Sequence, residues 1–249
     1  MNLLITGCCG HIGSYVTENI HKIKKIKKTI IVDNIKSNRF CSLFNLKKKN
    51  NLNFFLKDVS DPKSLNEFKK INYVIHLASM TNAEKSFGKE NEMYKNNIDC
   101  LKTVINFCKK NNSKLIHLSS TSVYGKQAKI VDETCEKKYL KPQSPYADIK
   151  LIEERMLKKE SKKLKYNTFR FGTISGVSSG IRFHTAVNKF CLNAAINEDI
   201  NVYKTALNQY RPYLSLRDAF EVFKFSIEND FFKNDIYNAL SGNYTEIGR

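Results

Sequence analysis

A junction between a short strand and a helix, punctuated by glycines, constrains the fold of this chain more than any other feature. Residues 2–6 form a brief apolar run, and Gly7, Gly10 and Gly13 follow it at once. Apolar residues then recur at helical spacing over residues 12–23. The first glycine permits a tight turn, the second lets the backbone approach a diphosphate, and the third lets the helix pack against the strand. The junction therefore predicts a dinucleotide-binding loop.

The residues around this junction favour NAD as the dinucleotide. His11 and Ile12 open the helix, where unpaired N–H groups and the helix dipole attract a diphosphate. Asp33 follows at the end of a second apolar run, about 20 residues beyond the glycines, and Asn34 comes next. A carboxylate there binds the 2′-hydroxyl of a ribose and repels a 2′-phosphate. We therefore predict NAD as the cofactor, with Asp33 and Asn34 at the ribose.

Short apolar runs alternate with helical patterns along most of the chain. Besides residues 2–6, the runs cover residues 29–32, 53–56, 73–77, 115–118 and 166–171. Continuous apolar strands separated by helices indicate a parallel sheet that is covered on both faces. The predicted fold is a doubly wound (Rossmann) α/β domain with a smaller C-terminal lobe. The predicted ranges are an NAD-binding domain at 1–175, a substrate lobe at 176–234 and a strand that returns to the sheet within 235–249.

The composition is that of a globular protein with a large excess of positive charge. The 249 residues include 42 Lys and Arg against 24 Asp and Glu, which gives a net charge of +18. Such an excess is typical of nucleic-acid binding, but the lysines fall mostly at predicted helix ends and no nucleic-acid motif accompanies them. Seven scattered cysteines lack metal-ligand spacing, and neither a signal peptide nor a membrane span is recognisable. We predict a cytoplasmic protein with reduced cysteines and without a metal, nucleic-acid partner or membrane anchor.

A second motif places a tyrosine and a lysine on one face of a helix. Ser144 is an N-cap residue and Pro145 suits the first helical position. Tyr146 and Lys150 are four residues apart, so their side chains are neighbours on that helix. An ammonium ion beside a phenol favours the phenolate form, which makes the tyrosine usable as an acid or base near neutral pH. Although this spacing is common by chance, together with the glycine motif it predicts a catalytic pair.

A third motif is a cluster of hydroxyl groups directly after the fifth predicted strand. Ser119, Ser120, Thr121 and Ser122 lie where that strand ends. In doubly wound sheets, ligands bind outside the carboxyl ends of the strands, so a hydroxyl there faces the dinucleotide crevice. Ser120 is predicted to hydrogen-bond the substrate oxygen whose proton Tyr146 handles. The alternative for the other three hydroxyls is to cap neighbouring backbone groups.

Together these motifs resemble the extended short-chain dehydrogenase/reductase family, in particular its NAD-dependent nucleotide-sugar epimerases and dehydratases. The glycine loop fits the TGxxGxxG motif of that family. Ser120, Tyr146 and Lys150 fall on its catalytic serine or threonine, tyrosine and lysine, and the last two also contact the cofactor. The resemblance implies further cofactor contacts at Asp58, Val59, Leu77, Ala78, Ser79 and Asn97.

The same resemblance implies a substrate and an assembly. Arg211 begins a segment similar to the one whose leading arginine grips the nucleotide diphosphate in that family, so a nucleotide-diphosphate sugar is the expected substrate. Arg182 and Asn188 are further candidates for this anchor, and the alternative for both is a solvated surface. The family implies a homodimer. Most of its members continue for several elements beyond the last residue here, so we expect either a natural short form or a missing part of the substrate lobe.

Departures from the family pattern favour one reaction. The family's 4,6-dehydratases carry Asp-Glu directly after the catalytic hydroxyl, whereas this chain has Thr121 and Ser122. Its sugar-acid decarboxylases carry a glutamate at the second of these positions. An asparagine usual in UDP-hexose 4-epimerases is replaced by Thr173, which disfavours galactose or glucose as the sugar. The predicted activity is an epimerase that oxidises a sugar transiently to a keto-sugar and reduces it again, with Thr121 and Thr173 near the substrate.

Two alternatives remain open from the sequence. A reductase of keto-nucleotide sugars, using NADH or NADPH, would need the same catalytic residues but would exchange its cofactor at each turnover. A non-catalytic NAD-binding regulatory protein would tolerate the loss of Tyr146. The complete set of Ser120, Tyr146 and Lys150 argues against the second alternative.

Overall fold

A large parallel sheet with helices on both faces is the central element of the fold. The computed structural model describes residues 1–44, 46, 51–81, 88, 90–127, 130–202, 204, 210–242 and 245–246. The strands are β1 Asn2–Thr6, β2 Lys28–Asp33, β3 Leu52–Leu56, β4 Tyr73–His76, β5 Lys114–Ser120, β6 Tyr166–Phe171, β7 Thr173–Ser175, β8 Tyr210–Arg211, β9 Tyr213–Ser215, β10 Asp235–Ala239 and β11 Thr245–Glu246. The helices are α1 His11–Asn19, α2 Glu90–Asn111, α3 Pro145–Glu160, α4 Ala186–Ala195 and α5 Leu216–Glu228.

The strand order confirms the predicted doubly wound fold. Seven strands pair in the order β10-β6-β5-β4-β1-β2-β3, and each pairing is parallel. The order reverses between β1 and β4, and a crevice for ligands forms outside the carboxyl ends of the strands at such a point. The glycine loop after β1 and the turn after β4 both lie at this crevice.

Alternate residues of β1 show why the sheet is buried on both faces. Leu3 and Ile5 point into one apolar cluster, which includes side chains of α1 and α5. Leu4 points into the opposite cluster, which includes Leu101 of α2 and Leu157 of α3. Since successive side chains of a strand point to opposite faces, an uninterrupted apolar strand needs a helix layer on each side.

The chain after β6 builds two small sheets and then returns to the large one. β7 pairs with β9, and β8 pairs with β11; α4 lies between β7 and β9 in sequence. α5 lies inside the range predicted for the substrate lobe, 176–234, yet it packs against α1, and its Phe220 and Phe223 join the core of the large sheet. The apolar face of such a helix packs on whichever surface the fold brings next to it. The sequence alone does not identify that surface. β10 then adds to the edge of the sheet beside β6.

The remaining predictions from the sequence concern lysines and cysteines. Lysines occupy the last turns of α2 and α3, where the helix dipole favours a cation. The run at residues 47–49 lies outside the described residues. All seven cysteines carry free thiols, and those at positions 8, 9, 100 and 108 are buried. Within the described ranges, no helix combines the length and the apolar character needed to cross a bilayer.

Candidate active site

The three glycines of the loop after β1 serve different purposes. Gly7 has a φ of 73°, and a Cβ there would lie 2.6 Å from the backbone of Leu77 and Ala78. A Cβ on Gly13 would lie 2.1 Å from the carbonyl oxygen of Gly7. A Cβ on Gly10 would meet only that oxygen, at 3.4 Å. Gly7 and Gly13 are therefore required by protein packing, whereas Gly10 leaves open space at the loop, as close approach of a ligand needs.

The first turn of α1 presents backbone N–H groups without a side-chain cap. Gly10 is the N-cap residue, with an extended backbone and no capping hydrogen bond. The side chain of His11 is buried, and its Nε2 lies 2.8 Å from the carbonyl oxygen of Gly176. Burial lowers the pKa of this imidazole. Ile12 stays partly exposed. An uncapped N-terminus is suited to a diphosphate, which supplies the missing acceptors.

The segment after β7 lies against this helix start. Ser178 donates a hydrogen bond to the carbonyl of His11, at 2.8 Å, and the amide of Gly180 donates to Ser14 Oγ, at 2.9 Å. A Cβ on Gly180 would lie 2.3 Å from the carbonyl oxygen of Cys9, so only glycine permits this approach. Residues 176–180 therefore form one wall of the crevice, a contact that no local sequence pattern indicated.

Asp33 lies at the end of β2, beside the glycine loop. Its Oδ2 accepts the amide hydrogen of Cys9, at 3.0 Å, and its Oδ1 accepts that of Ile35, at 2.8 Å. Each oxygen of an ionised carboxylate has a second lone-pair site, so a ribose hydroxyl can still donate to Asp33. Asn34 caps the following turn through a hydrogen bond from the amide of Lys36. The residues present thus fit the adenosine half of a dinucleotide.

The structure also gathers two thiols at the base of this loop. Cys8 Sγ and Cys9 Sγ are 3.9 Å apart, and both lie within 4.8 Å of a carboxylate oxygen of Asp33. Both thiols are buried. The neighbouring thiol and burial both raise the pKa of Cys8 far above its usual range, so it stays protonated. The spacing rules used on the sequence do not detect this grouping, because Asp33 comes from another strand.

Asp58 and Val59 follow β3 and have separate local roles. The Asp58 carboxylate accepts hydrogen bonds from Lys36 Nζ, at 2.7 Å, and from the amide and hydroxyl of Ser60. Although burial alone would raise it, these hydrogen bonds lower the pKa of Asp58 to about 2. Val59 is buried in the core beneath α2. An adenine contact by these two residues stays a prediction.

Thr6 joins the end of β1 to the turn after β4. Its hydroxyl oxygen accepts the amide hydrogens of Leu77 and Ala78, each at 3.3 Å, and lies 2.8 Å from His76 Nδ1. Thr6 therefore ties the His76 ring to the turn that follows it. Ser79, which follows Ala78, donates a hydrogen bond from its hydroxyl to the carbonyl of Met80.

His76 makes the protein sensitive to mild acid. Burial, and to a lesser degree His117, lower its pKa to about 3. The unfolded chain binds this proton near pH 6.5, so stability falls as the pH falls through the interval from about 6.5 to 3. We expect His76→Asn to reduce the loss of unfolding free energy between pH 7 and pH 5 by about 2 kcal/mol. Urea denaturation at the two pH values measures this, and an equal loss in both proteins would contradict it.

Asn97 connects α2 to the same turn. Its side-chain oxygen accepts the amide hydrogen of Met80, at 2.8 Å, and its amide nitrogen donates to the Met80 carbonyl, at 3.0 Å. Asn97 is buried. The side chain therefore holds the turn after β4 in place, and a direct contact with the cofactor stays a prediction.

Ser120 ends β5 with its hydroxyl directed into a tight turn at Thr121–Tyr124. It accepts hydrogen bonds from the amide and the hydroxyl of Ser122, at 3.2 and 2.9 Å. Since a hydroxyl has one donor and two acceptor sites, the Ser120 proton remains available to another oxygen. Thr121 donates to the carbonyl of Phe171, at 3.3 Å, and so joins the ends of β5 and β6.

The start of α3 places the tyrosine and the lysine as the sequence predicted. Ser144 is the N-cap residue, its Oγ accepts the amide hydrogen of Ala147 at 3.3 Å, and Pro145 opens the helix. Lys150 Nζ lies 5.7 Å from the centre of the Tyr146 ring. Tyr146 is partly exposed, while Lys150 is buried beneath it. The pair therefore shares one helix face, with the phenol toward solvent and the ammonium inside.

Two buried ion pairs lie under this helix, and the sequence analysis did not identify them. Glu153 accepts hydrogen bonds from Lys150 Nζ at 2.7 Å and from His117 Nε2 at 3.0 Å. Glu154 accepts both a 2.9 Å and a 2.7 Å hydrogen bond from the Arg170 guanidinium. The helical spacing of three from Lys150 to Glu153 is a signal that could have found the first pair.

Four of the five residues predicted at the substrate lie in three places after β6. Thr173 begins β7, and its amide donates to the carbonyl of Pro212. Asn188 accepts the amide hydrogen of Gly176 and donates to the Arg182 carbonyl, so its side chain shapes the loop between them. Arg211 lies in β8.

Arg182 lies in the loop before α4, and its side chain is partly exposed. Its Nε is buried and has no hydrogen-bond partner among the described residues, and the same is true of Thr185 Oγ1, three residues further on. Burial and the nearby Arg39 lower the pKa of Arg182 to about 10, so it remains a cation near pH 7. A buried nitrogen without an acceptor is unfavourable unless a ligand supplies one.

Comparison with known proteins identifies relatives of this chain. The sequence profile of the NAD dependent epimerase/dehydratase family matches residues 3–239. ADP-L-glycero-D-manno-heptose-6-epimerase of Brachyspira hyodysenteriae is 26% identical, and the alignment covers 99% of this chain and 79% of that protein. dTDP-D-glucose 4,6-dehydratase of Dictyostelium discoideum is 30% identical over 66% of this chain, which spans only 41% of that relative.

Solved structures show the same fold. UDP-N-acetylglucosamine 4-epimerase from Methanobrevibacter ruminantium M1, in complex with UDP-N-acetylmuramic acid, matches with a TM-score of 0.84 and 26% identity over 99% of this chain and 78% of that one. UDP-glucuronic acid 4-epimerase from Bacillus cereus, in complex with UDP-glucuronic acid and NAD, matches with a TM-score of 0.85 at 22% identity over 99% of this chain and 80% of that one. The family profile spans nearly the entire chain, and the chain therefore belongs to the NAD dependent epimerase/dehydratase family.

Proposed function

We propose that this protein is an NAD-dependent nucleotide-sugar epimerase. The observation that carries the proposal is the pair formed by Tyr146 and Lys150, with 5.7 Å between the ammonium and the phenol ring. The pair lies on the helix that packs against the turn following Ser120. The match to the family profile supports NAD as the cofactor, and the open space at Gly10 and the uncapped start of α1 fit its diphosphate.

NAD bound in this crevice would supply the acceptor, and later the donor, of a hydride. The Tyr146 oxygen would accept the proton of a sugar hydroxyl when that carbon is oxidised, and would return it when the carbon is reduced on the other face. Ser120 would donate its free hydroxyl proton to the same sugar oxygen. The Lys150 ammonium would favour the negative charge on Tyr146 while the proton is absent.

The substrate is proposed to be anchored through its diphosphate. Arg211 and Arg182 would pair with phosphate oxygens, because charge-assisted hydrogen bonds from arginine suit a diphosphate. Asn188 would hold the Arg182 loop, and Thr121 and Thr173 would lie near the sugar. Thr121 and Ser122 carry no carboxylate, which supports an epimerase over a dehydratase, since water elimination needs an additional acid and base. The family resemblance supports a homodimer.

The test is incubation with uridine, guanosine, cytidine and thymidine diphosphate sugars. We expect one of them to be converted to a stereoisomer, detected by anion-exchange chromatography and NMR, without net consumption of NAD. A product that forms only with stoichiometric NADH or NADPH would identify a reductase instead. A stable 4-keto-6-deoxy product would identify a dehydratase, and an absence of turnover across the panel would refute the proposal.

A further inference from the structure

A buried carboxylate, that of Glu153, lies behind the proposed catalytic pair and takes no part in the proposed proton transfer. Glu153 lies on α3, three residues after Lys150, and only 2% of its surface is exposed. Its Oε2 is 2.7 Å from Lys150 Nζ and 3.0 Å from His117 Nε2. His117 Nδ1 in turn lies 3.2 Å from the hydroxyl of Thr168 on β6. A continuous chain of contacts thus runs from the middle of the sheet to the lysine.

Lys150 needs this carboxylate in order to stay charged. Only 5% of its surface is exposed, and burial alone disfavours an ammonium ion, so an unpaired lysine there would lose its proton. Burial therefore acts to lower the pKa of Lys150, but Glu153, and next to it Tyr146, outweigh burial and raise that pKa above its usual range. Burial likewise acts against the charge on Glu153, yet Lys150 and His117 lower the pKa of Glu153 to about 2.

The charged and titratable groups around Lys150 come from several elements. On α3 they are Tyr146, Glu153 and Glu154, and the sheet and the opposite helix contribute His117 of β5, His76 of β4 and Cys100 of α2. His76 and Cys100 are neutral near pH 7, because burial lowers the pKa of the histidine to about 3 and raises that of the thiol to about 12. Glu154 is engaged by Arg170. Glu153 is thus the carboxylate in direct contact with the ammonium.

We propose that Glu153 is a positioning residue, which keeps Lys150 protonated and holds its ammonium in place beneath Tyr146, while His117 holds Glu153 in place. The consequence for turnover rests on the proposed function, but the state of Lys150 does not. Two hydrogen bonds to one carboxylate oxygen fix its position, and the carboxylate in turn fixes the lysine. Lys150 would otherwise need the substrate or the cofactor to balance its charge.

The adjacent residue provides a matched control. Glu154 is also buried on α3, and it also neutralises a buried cation, Arg170, at 2.7 Å. It accepts a further hydrogen bond from Ser119, at 2.6 Å. Glu153→Gln and Glu154→Gln each remove one buried negative charge with almost no change in volume. Only the first removes the partner of Lys150.

The direct test measures the ionisation of Lys150 without substrate or dinucleotide. The protein is acetylated with trace acetic anhydride at a series of pH values, and the extent at Lys150 is measured by mass spectrometry. We expect Glu153→Gln to lower the pH of half-maximal reactivity by about one unit or more, and Glu154→Gln, whose carboxylate acts on Lys150 without contacting it, to lower it clearly less. An unchanged value in Glu153→Gln, or an equal shift in both variants, would overturn the proposal.

Turnover provides a second measurement once a substrate is known. The alkaline limb of the pH profile of kcat should move to lower pH in Glu153→Gln, with KM nearly unchanged, because the ammonium is then lost earlier. A uniform fall in kcat at every pH would indicate a structural role and overturn the proposal. If no sugar is turned over while the acetylation shift is present, the proposed function fails and the role of Glu153 in charging Lys150 stands.

A stability comparison keeps the proposal testable if Glu153→Gln folds poorly. Removing one member of a buried ion pair leaves an uncompensated charge, whereas removing both does not. The double variant Lys150→Gln/Glu153→Gln should therefore be more stable to urea than Glu153→Gln alone. A double variant as unstable as the single one would show that Glu153 does not act through Lys150.

Discussion

Tyr146→Phe should lower kcat about 100- to 10,000-fold, because a positioned acid–base group contributes about that much to a proton transfer. The substitution removes only the phenol oxygen. The ring packs beside a small apolar cluster that includes Ile149, and phenylalanine preserves these contacts. The free energy of unfolding and the affinity for NAD should therefore change little. Stopped assays with the identified nucleotide sugar measure kcat. Calorimetric titration measures the affinity for NAD, and urea denaturation measures the free energy of unfolding.

The chain offers a matched control for this substitution. Tyr139 is also partly exposed, and Lys138 Nζ lies 5.2 Å from the centre of its ring, which resembles the distance at the proposed pair. Tyr139 belongs to a surface turn and is not on α3. Tyr139→Phe should retain the wild-type kcat. Retention of more than about a tenth of the activity by Tyr146→Phe would rule out acid–base catalysis by Tyr146.

Gly13→Ala should have the largest effect on folding among single substitutions in the glycine loop. The new Cβ would lie 2.1 Å from the carbonyl oxygen of Gly7, and 2.9 and 3.0 Å from the backbone of Cys8. These are backbone atoms, which cannot rotate away as a side chain can, so α1 must move from the loop. We expect a loss of about 3 kcal/mol or more in the free energy of unfolding, measured by urea denaturation, and loss of NAD binding.

Gly10→Ala separates the packing of the loop from ligand binding. The Cβ of an alanine there would have only the Gly7 oxygen near it, at 3.4 Å, and the backbone at Gly10 has a φ of −70°, which alanine adopts readily. We expect a small change in stability, with weaker binding of NAD because the methyl group enters the space that the diphosphate needs. If Gly10→Ala and Gly13→Ala lowered the free energy of unfolding equally, Gly10 would also be required for packing, and the separate roles of the two glycines would be wrong.

Much of the central domain could be predicted from the sequence because its signals are local. The strand expected at 166–171 is Tyr166–Phe171, and the one expected at 2–6 is Asn2–Thr6. Ser144 and Pro145 predicted the start of α3 to the residue. Apolar periodicity, capping side chains and glycine turns act within a few residues of each other, so they can be identified before the fold is known.

The polar interior could not be predicted in the same way. Glu153, Glu154 and Arg170 are ordinary charged residues in the sequence, and such residues are usually exposed. Their burial depends on α3 lying across β5 and β6, so that each charge meets its partner. The wall formed by residues 176–180 has the same origin, since Ser178 and Gly180 contact His11 and Ser14 from more than 160 positions away.

The order of residues along the chain by itself determined the alternating strands and helices, the loop for a dinucleotide and the common face of Tyr146 and Lys150. Only the tertiary structure decided which charges are buried together and which segment closes the crevice. The reason is physical: backbone preferences and apolar periodicity act over a few residues, whereas desolvation and ion pairing depend on which elements meet in space. Glu153 became the partner of Lys150 through helical spacing, but packing against the sheet turned this contact into a buried ion pair.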